Sequence, residues 1–167
     1  LTRSSVPLDV THLGSISDLT IILALPNIQI LTKDARDILP NQVDMKNFVS
    51  NMANACLIAS AFSTDNYKLF SRSLKDIVIE PIRSKLIPGF DEVKAVALEA
   101  GADGMTISGA GPAVFAITNT KKKAPIIEDA MARTFKKYGV ECTTLITTPS
   151  HKGSVEVTSN EFDFFNH

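Results

Sequence analysis

Residues 101–118 read GADGMTISGAGPAVFAIT, placing a compact glycine-rich turn between two short apolar stretches instead of ahead of a helix. Residues 105–107 and 113–118 have the composition of strands, so the segment between them is predicted to connect an antiparallel pair. Gly109 and Gly111 flank Ala110, Ser108 precedes them, and Pro112 closes the loop. Glycine admits positive φ at such a turn and lets bare backbone N–H groups face an anion. A hairpin that needs glycine only for its own closure accounts for the same residues.

Outward from this hairpin, residues 1–17 read as an irregular or strand-like lead. Residues 18–26 (DLTIILALP), rich in Ile and Leu and ended by proline, are expected to form a strand buried on both faces. Thr32 is placed as the N-cap of a short helix through Leu39, with Asp34 near its positive end and Pro40 stopping it. Over residues 44–62, Met45, Phe48, Val49, Met52, Cys56, Ala59 and Phe62 recur at helical spacing and are expected to face the core. The other face carries Asn47, Ser50, Asn51 and Asn54, an uncharged polar stripe that suits a semi-exposed face or a surface for a partner or ligand.

Asp65 is expected to cap a helix through about Val78, with Tyr67, Phe70, Leu74 and Ile77 inward. Pro81 and then Pro88-Gly89 break regular structure, which puts Arg83 on a connecting segment. Asp91 caps a further helix with Val93, Val96, Ala97 and Ala100 on one face and Gly101 as its left-handed stop. Pro125 opens the last helix, with Ile127, Ala130, Met131 and Tyr138 inward, Lys136 and Lys137 in the final turn and Gly139 beyond. Residues 142–147 read as a fourth strand and 153–158 as a short edge strand. The order of elements predicts an α+β fold, an antiparallel sheet with helices on one face, and a single domain over residues 1–167.

The 167 residues, 44% apolar and 21% charged, suffice for a globular core without disulfides or metal. A net charge of -1 offers no electrostatic footprint for nucleic acid or an anionic membrane. The longest strongly apolar run, residues 19–25, is far too short to span a bilayer. Cys56 and Cys142 are isolated, and His12, His151 and His167 have no metal-ligand neighbours, so a reduced, cytoplasmic setting and no metal site are expected. The chain starts at Leu1 without a charged-then-apolar leader, which reads as a processed or truncated product rather than a secreted one.

The glycine loop, residues 30–40 (ILTKDARDILP) and residues 79–92 (IEPIRSKLIPGFDE) together resemble the C-terminal domain of the GHMP kinases, and within them the homoserine kinase family. The loop points to the superfamily and the two arginine-bearing stretches to that branch. The resemblance implies a ferredoxin-like domain and a parent enzyme that phosphorylates the hydroxyl of L-homoserine with ATP and Mg²⁺, giving O-phospho-L-homoserine for threonine synthesis. It also implies an N-terminal ATP-binding half that this chain lacks, a possible homodimer, and no nucleic-acid or membrane partner.

Carried over residue by residue, Arg36 and Arg83 stand at the arginines of the two stretches and are expected to bind substrate, with Thr32 adding a side chain to the same pocket. Arginine suits a carboxylate because its planar fork donates two parallel hydrogen bonds. Arg36 also reads as an ordinary exposed charge, and Thr32 as a helix cap alone. Arg83 lies in an apolar segment where a buried charge needs a partner, and Glu80 is a candidate partner for either arginine. Ser108, Gly109, Ala110 and Gly111 match the phosphate-facing loop, whose plausible work is electrostatic.

The family's main phosphate-binding element, a PxxxGLGSSA loop leading into a helix, has no counterpart. Residues 13–17 (LGSIS) resemble a piece of it but run into a predicted strand, so no helix dipole would face a phosphate. No residue reads as a general base, and none is assigned as catalytic. Lys121, Lys122 and Lys123 read as a solvated loop in preference to a phosphate clamp. Phe162, Phe164 and Phe165 suit either docking on another half or subunit, or simple packing of the tail. The rival reading is a stand-alone ferredoxin-like module that binds an amino acid for regulation without catalysis.

Overall fold

The computed structural model describes residues 2–152. The predicted edge strand at 153–158 and the three C-terminal phenylalanines lie outside the described residues. The chain opens with a two-stranded hairpin, β1 (Thr2–Ser5) and β2 (Leu8–Val10), which does not join the main sheet. There follow β3 (Thr20–Pro26), α1 (Thr32–Asp37), α2 (Met45–Ser63), α3 (Tyr67–Ser73), α4 (Glu80–Arg83) and α5 (Phe90–Glu99). The chain continues through β4 (Gly104–Ile107), β5 (Val114–Thr118), α6 (Ala124–Lys137) and β6 (Cys142–Thr147).

The main sheet has the order β4-β5-β3-β6 with every neighbouring pair antiparallel. β5, α6 and β6 form a crossover split by β3, the ferredoxin-like arrangement that the family resemblance implies. Register runs from Thr20 opposite Thr118 to Ala24 opposite Val114 on one side of β3, and from Ile21 opposite Thr147 to Pro26 opposite Cys142 on the other.

Because side chains alternate across a strand, Ile22 and Ala24 of β3 share a face with Val114 and Ala116 of β5. That face is sealed by Val93 and Ala97 of α5 and by Ile127, Met131 and Phe135 of α6, all fully buried. Burying each large side chain contributes about 1.5–3 kcal/mol. The opposite face begins a second cluster, where Ile117 meets Ile16, Leu19, Ala61, Tyr67 and Phe70. Phe62 and Phe70 pack edge to face there, with ring centroids 5.3 Å apart.

Several local expectations need correction. The lead at 1–17 contains the β1–β2 hairpin. In β3 only one face is consistently buried, since Leu25 on the other is exposed. Leu31, not Thr32, is the N-cap of α1, and no side chain caps it. Asn66, whose carbonyl accepts from the Leu69 N–H at 2.9 Å, caps α3 in place of Asp65. Asp65 instead accepts from the backbone and hydroxyl of Ser17. That helix stops at Ser73, well before Val78. Gly89, at φ 74°, starts α5 ahead of Asp91. Pro81 opens α4 rather than breaking structure, because proline is tolerated in the first turn. Arg83 is therefore helical. Tyr138 is exposed beyond α6, and Lys121–Lys123 form a 3₁₀ turn.

The largest departure concerns α2. Its existence is as expected, and Asp44 caps it by accepting from the Lys46 and Asn47 N–H groups. Its expected inward face is turned outward from Met45 to Cys56, while Phe62 near its end packs against the second cluster. Met45 is 71% exposed, Val49 57% and Phe48 52%, and Ala61 is the helix's one buried residue among those described. Ser50, Asn51 and Asn54 of the polar stripe face the protein instead, while Asn47 stays exposed. Asn51 donates to Asp76 and accepts from Ile77 N–H, both at 3.0 Å, and Asn54 donates to the Lys75 carbonyl at 3.0 Å.

Candidate functional site

The glycine loop is a closed turn. Ser108 N–H donates to Ala113 O at 2.8 Å, and Gly111 N–H donates back to Ser108 O at 3.0 Å. Gly109 at φ 61° and Gly111 at φ 83° hold conformations that a Cβ resists. Two of the four amides in this loop are thereby spent inside it. Pro112 has none, so Gly109 and Ala110 carry the N–H groups that donate to no acceptor among the described residues. The Ser108 hydroxyl likewise makes no hydrogen bond there. A Cβ placed on Gly109 would meet nothing within 4 Å, so that part of the turn opens outward.

The structure brings the three notable stretches together at Arg83. Its Nε donates to the Ala35 carbonyl at 3.0 Å, and its Nη1 donates to the Gly109 carbonyl at 3.1 Å. The Ala35 carbonyl lies in the last turn of α1, where Leu39 N–H reaches back only as far as Arg36 O. It is one of the acceptors that a helix end leaves unused, and a cation complements that negative end. Arg83 is half-buried, and its charge is met by two carbonyl dipoles rather than by a carboxylate.

An apolar junction lies beneath the same place. A Cβ on Gly111 would stand 3.4 Å from Ile107 and from Ile87, and 3.9 Å from Ile30. Ile30 precedes α1, Ile87 follows α4 and Ile107 ends β4, so one contact from each stretch fixes the loop from below. Thr32 and Arg36 sit four residues apart on one face of α1. Both are exposed, and neither side chain makes a hydrogen bond among the described residues.

Glu80 is not the partner of an arginine. It pairs with Lys94 of α5, whose ammonium also lies 5.7 Å from the centre of the Phe90 ring. The other Glu80 oxygen is buried without a partner among the described residues. Sequence reasoning missed the acceptors of Arg83 because they are backbone carbonyls, which carry no residue-type signal. It missed Lys94 because that residue is fourteen positions from Glu80, with α4 and α5 turning between them.

Elsewhere, an apolar groove of about 1000 Å³ separates the β1–β2 hairpin from α2, with Leu8, Val10, Ile58 and Phe62 in its walls. His12 lines this groove. Among the described residues, no three of His, Cys, Asp and Glu gather where a metal could sit, and no helix is long and apolar enough to cross a membrane.

Fold and site together define a class. Residues 58–137 match the family described as GHMP kinases C terminal, and the chain carries the C-terminal domain of that family. Its relatives specify a branch. A homoserine kinase of Chloroherpeton thalassium is 39% identical over 137 residues, covering 82% of this chain and 43% of that protein. One of Chlorobium phaeobacteroides is 38% identical over 135 residues, covering 81% and 42%. The crystal structure of homoserine kinase from Cytophaga hutchinsonii superposes with a TM-score of 0.85 at 37% identity, over 90% of this chain and 48% of that one. The chain thus spans less than half the length of the curated relatives it matches.

Proposed function

We propose that this chain is the C-terminal half of a homoserine kinase, an ATP-dependent phosphotransferase acting on L-homoserine. The reaction forms a bond from the substrate hydroxyl oxygen to the γ-phosphorus, breaks the bond to the bridging oxygen of ADP, and releases the hydroxyl proton. The observation that carries the reading is the Arg83 junction, which joins a helix bearing Thr32 and Arg36 to the glycine loop.

In this proposal Arg36 and Arg83 receive the amino-acid carboxylate, and Thr32 adds a hydroxyl at the same face of α1. The free N–H groups of Gly109 and Ala110 face the transferring phosphoryl group, where aimed donors stabilise developing charge. Two amides are too few to cradle a nucleotide. The described residues also show no acidic cluster fit for Mg²⁺. ATP and Mg²⁺ are assigned to the remaining sequence of a longer parent protein, as is the cytoplasmic setting of threonine synthesis. The outward apolar face of α2, with Met45, Phe48, Val49 and Met52, supports a docking role toward that other half.

The test is an ADP-release assay on the full-length parent with L-homoserine, and ³¹P NMR to identify the phosphomonoester. Homoserine-dependent turnover is expected. ADP release indifferent to homoserine would overturn the reading, and homoserine binding without turnover would favour the regulatory module.

A further inference from the structure

We infer that Arg83 is a positioning residue for the glycine loop as well as a substrate contact. The peptide between Gly109 and Ala110 is trans, since the cis bonds among the described residues are Val6-Pro7 and Gly111-Pro112. In a trans peptide the carbonyl and the N–H point in opposite directions. By taking the Gly109 carbonyl at 3.1 Å, Nη1 of Arg83 therefore turns the Ala110 N–H away from itself. That amide is one of the two in the loop that the turn does not consume.

The turn needs such a restraint. A Cβ on Gly109 would touch nothing within 4 Å, so packing does not fix the Gly109–Ala110 peptide from the outer side. Below, Ile87, Ile107 and Ile30 support Gly111. The peptide between these two glycines could rotate at low steric cost, because glycine populates both signs of φ. The guanidinium selects one orientation.

The same group also holds α1. Nε takes the Ala35 carbonyl at 3.0 Å, immediately before Arg36. One rigid plane thus ties the helix that presents Arg36 and Thr32 to the loop that presents the Ala110 amide. Nη2 donates to nothing among the described residues, so its two hydrogens remain for a carboxylate. Arg83 can hold the loop and receive a ligand at once. Lysine cannot, because a single ammonium lacks three coplanar nitrogens.

The kinetic consequence rests on the homoserine kinase reading, whereas the structural one does not. On the chain itself, the test records ¹⁵N–¹H spectra of Arg83→Lys and Arg83→Gln beside Arg133→Gln, an exposed control on α6. Amide resonances of Gly109, Ala110 and Gly111 should shift in both Arg83 variants and stay in place in the control, with Met131 and Phe135 resonances confirming an intact core. Loop resonances unmoved by either Arg83 variant would overturn the inference. In the full-length parent, Arg83→Lys should lower kcat by about 100-fold, the scale on which a small misplacement acts, in addition to raising the homoserine KM. A raised KM with unchanged kcat would also overturn positioning, leaving Arg83 a ligand contact alone. Absence of homoserine-dependent activity in the unmodified parent would instead remove the functional reading, with the loop restraint still decided by the spectra.

Discussion

Asn51 of α2 and Asp76 are joined side chain to side chain, Nδ2 donating to Oδ1 at 3.0 Å, and the same Asp76 oxygen accepts from the N–H groups of Val78 and Ile79. Asn51 Oδ1 takes the Ile77 N–H as well. A polar face of the longest helix thereby organises the turn that leads into α4 and Arg83. Asn51→Leu should destabilise the chain by about 1 kcal/mol, because it removes the acceptor of the Ile77 N–H and one of three donors to Asp76 Oδ1. Asn47→Leu, on the exposed side, should move stability by less than about 0.5 kcal/mol. Urea unfolding midpoints of the two variants decide the matter, and equal midpoints would assign the asparagine stripe no structural role.

A side chain at Gly109 would be strained by conformation and not by crowding. Gly109→Ala should therefore cost about 1–2 kcal/mol of stability from positive φ alone, while Gly109→Asn, which tolerates that region, should cost less. Gly109→Val should damage turnover of the parent beyond its effect on folding, since a branched side chain would stand where the proposed function puts the phosphoryl group. Thermal midpoint and kcat measured on the same preparations separate the two effects. Activity falling only in step with folded protein would make the residue a hairpin glycine.

Arg36 is exposed and makes no hydrogen bond among the described residues. Arg36→Ala should change stability by less than about 0.5 kcal/mol, yet raise the homoserine KM of the parent by about ten-fold or more, as the loss of a charge-assisted bond predicts. Steady-state kinetics with homoserine and ATP varied separately would show it. An effect confined to the ATP KM would remove Arg36 from the amino-acid site.

The chain has two tyrosines and no tryptophan, so absorbance near 295 nm reports tyrosinate directly. Burial, reinforced by its bond to Asp103 at 2.6 Å, pushes the Tyr67 phenol far above its ordinary range. The hydrogen bond to Glu92 raises that of Tyr138. Groups whose folded pKa is raised stabilise the fold fully below the unfolded pKa, about 10 for tyrosine. That contribution is lost as pH rises through the folded value. Native Tyr67 should keep its proton at pH 10, so no more than one tyrosinate should form there, and stability should decline above it. Ionisation of both tyrosines near pH 10 with the fold intact would contradict the buried Tyr67–Asp103 pair.

The chain by itself should fold without phosphorylating homoserine, and a separately supplied N-terminal half should restore activity. Phe48→Glu and Met52→Glu lie on the outward face of α2, so they should leave the isolated fold stable and weaken that complementation. Light scattering, circular dichroism and ADP release on the same samples test the three parts. Robust turnover by the purified chain alone would mean that a complete nucleotide site had escaped notice.

Local chemistry and period were legible from residues 2–152. The hairpin at 104–118, the buried face of α6 and the stops at Gly101 and Gly139 follow from alternation, helical spacing and glycine's freedom at positive φ. The motif arginines and the glycine loop were visible as residue types.

Tertiary structure alone decided the orientation of α2. Periodicity shows that a helix has an apolar face but not whether this chain covers it, and here asparagine hydrogen bonds to 75–77 turn that face outward. It likewise decided the partners of Arg83. Backbone carbonyls at Ala35 and Gly109, separated from Arg83 by 48 and 26 positions, are alike in every residue type, so only the packing of α1, α4 and the loop could bring them to one guanidinium.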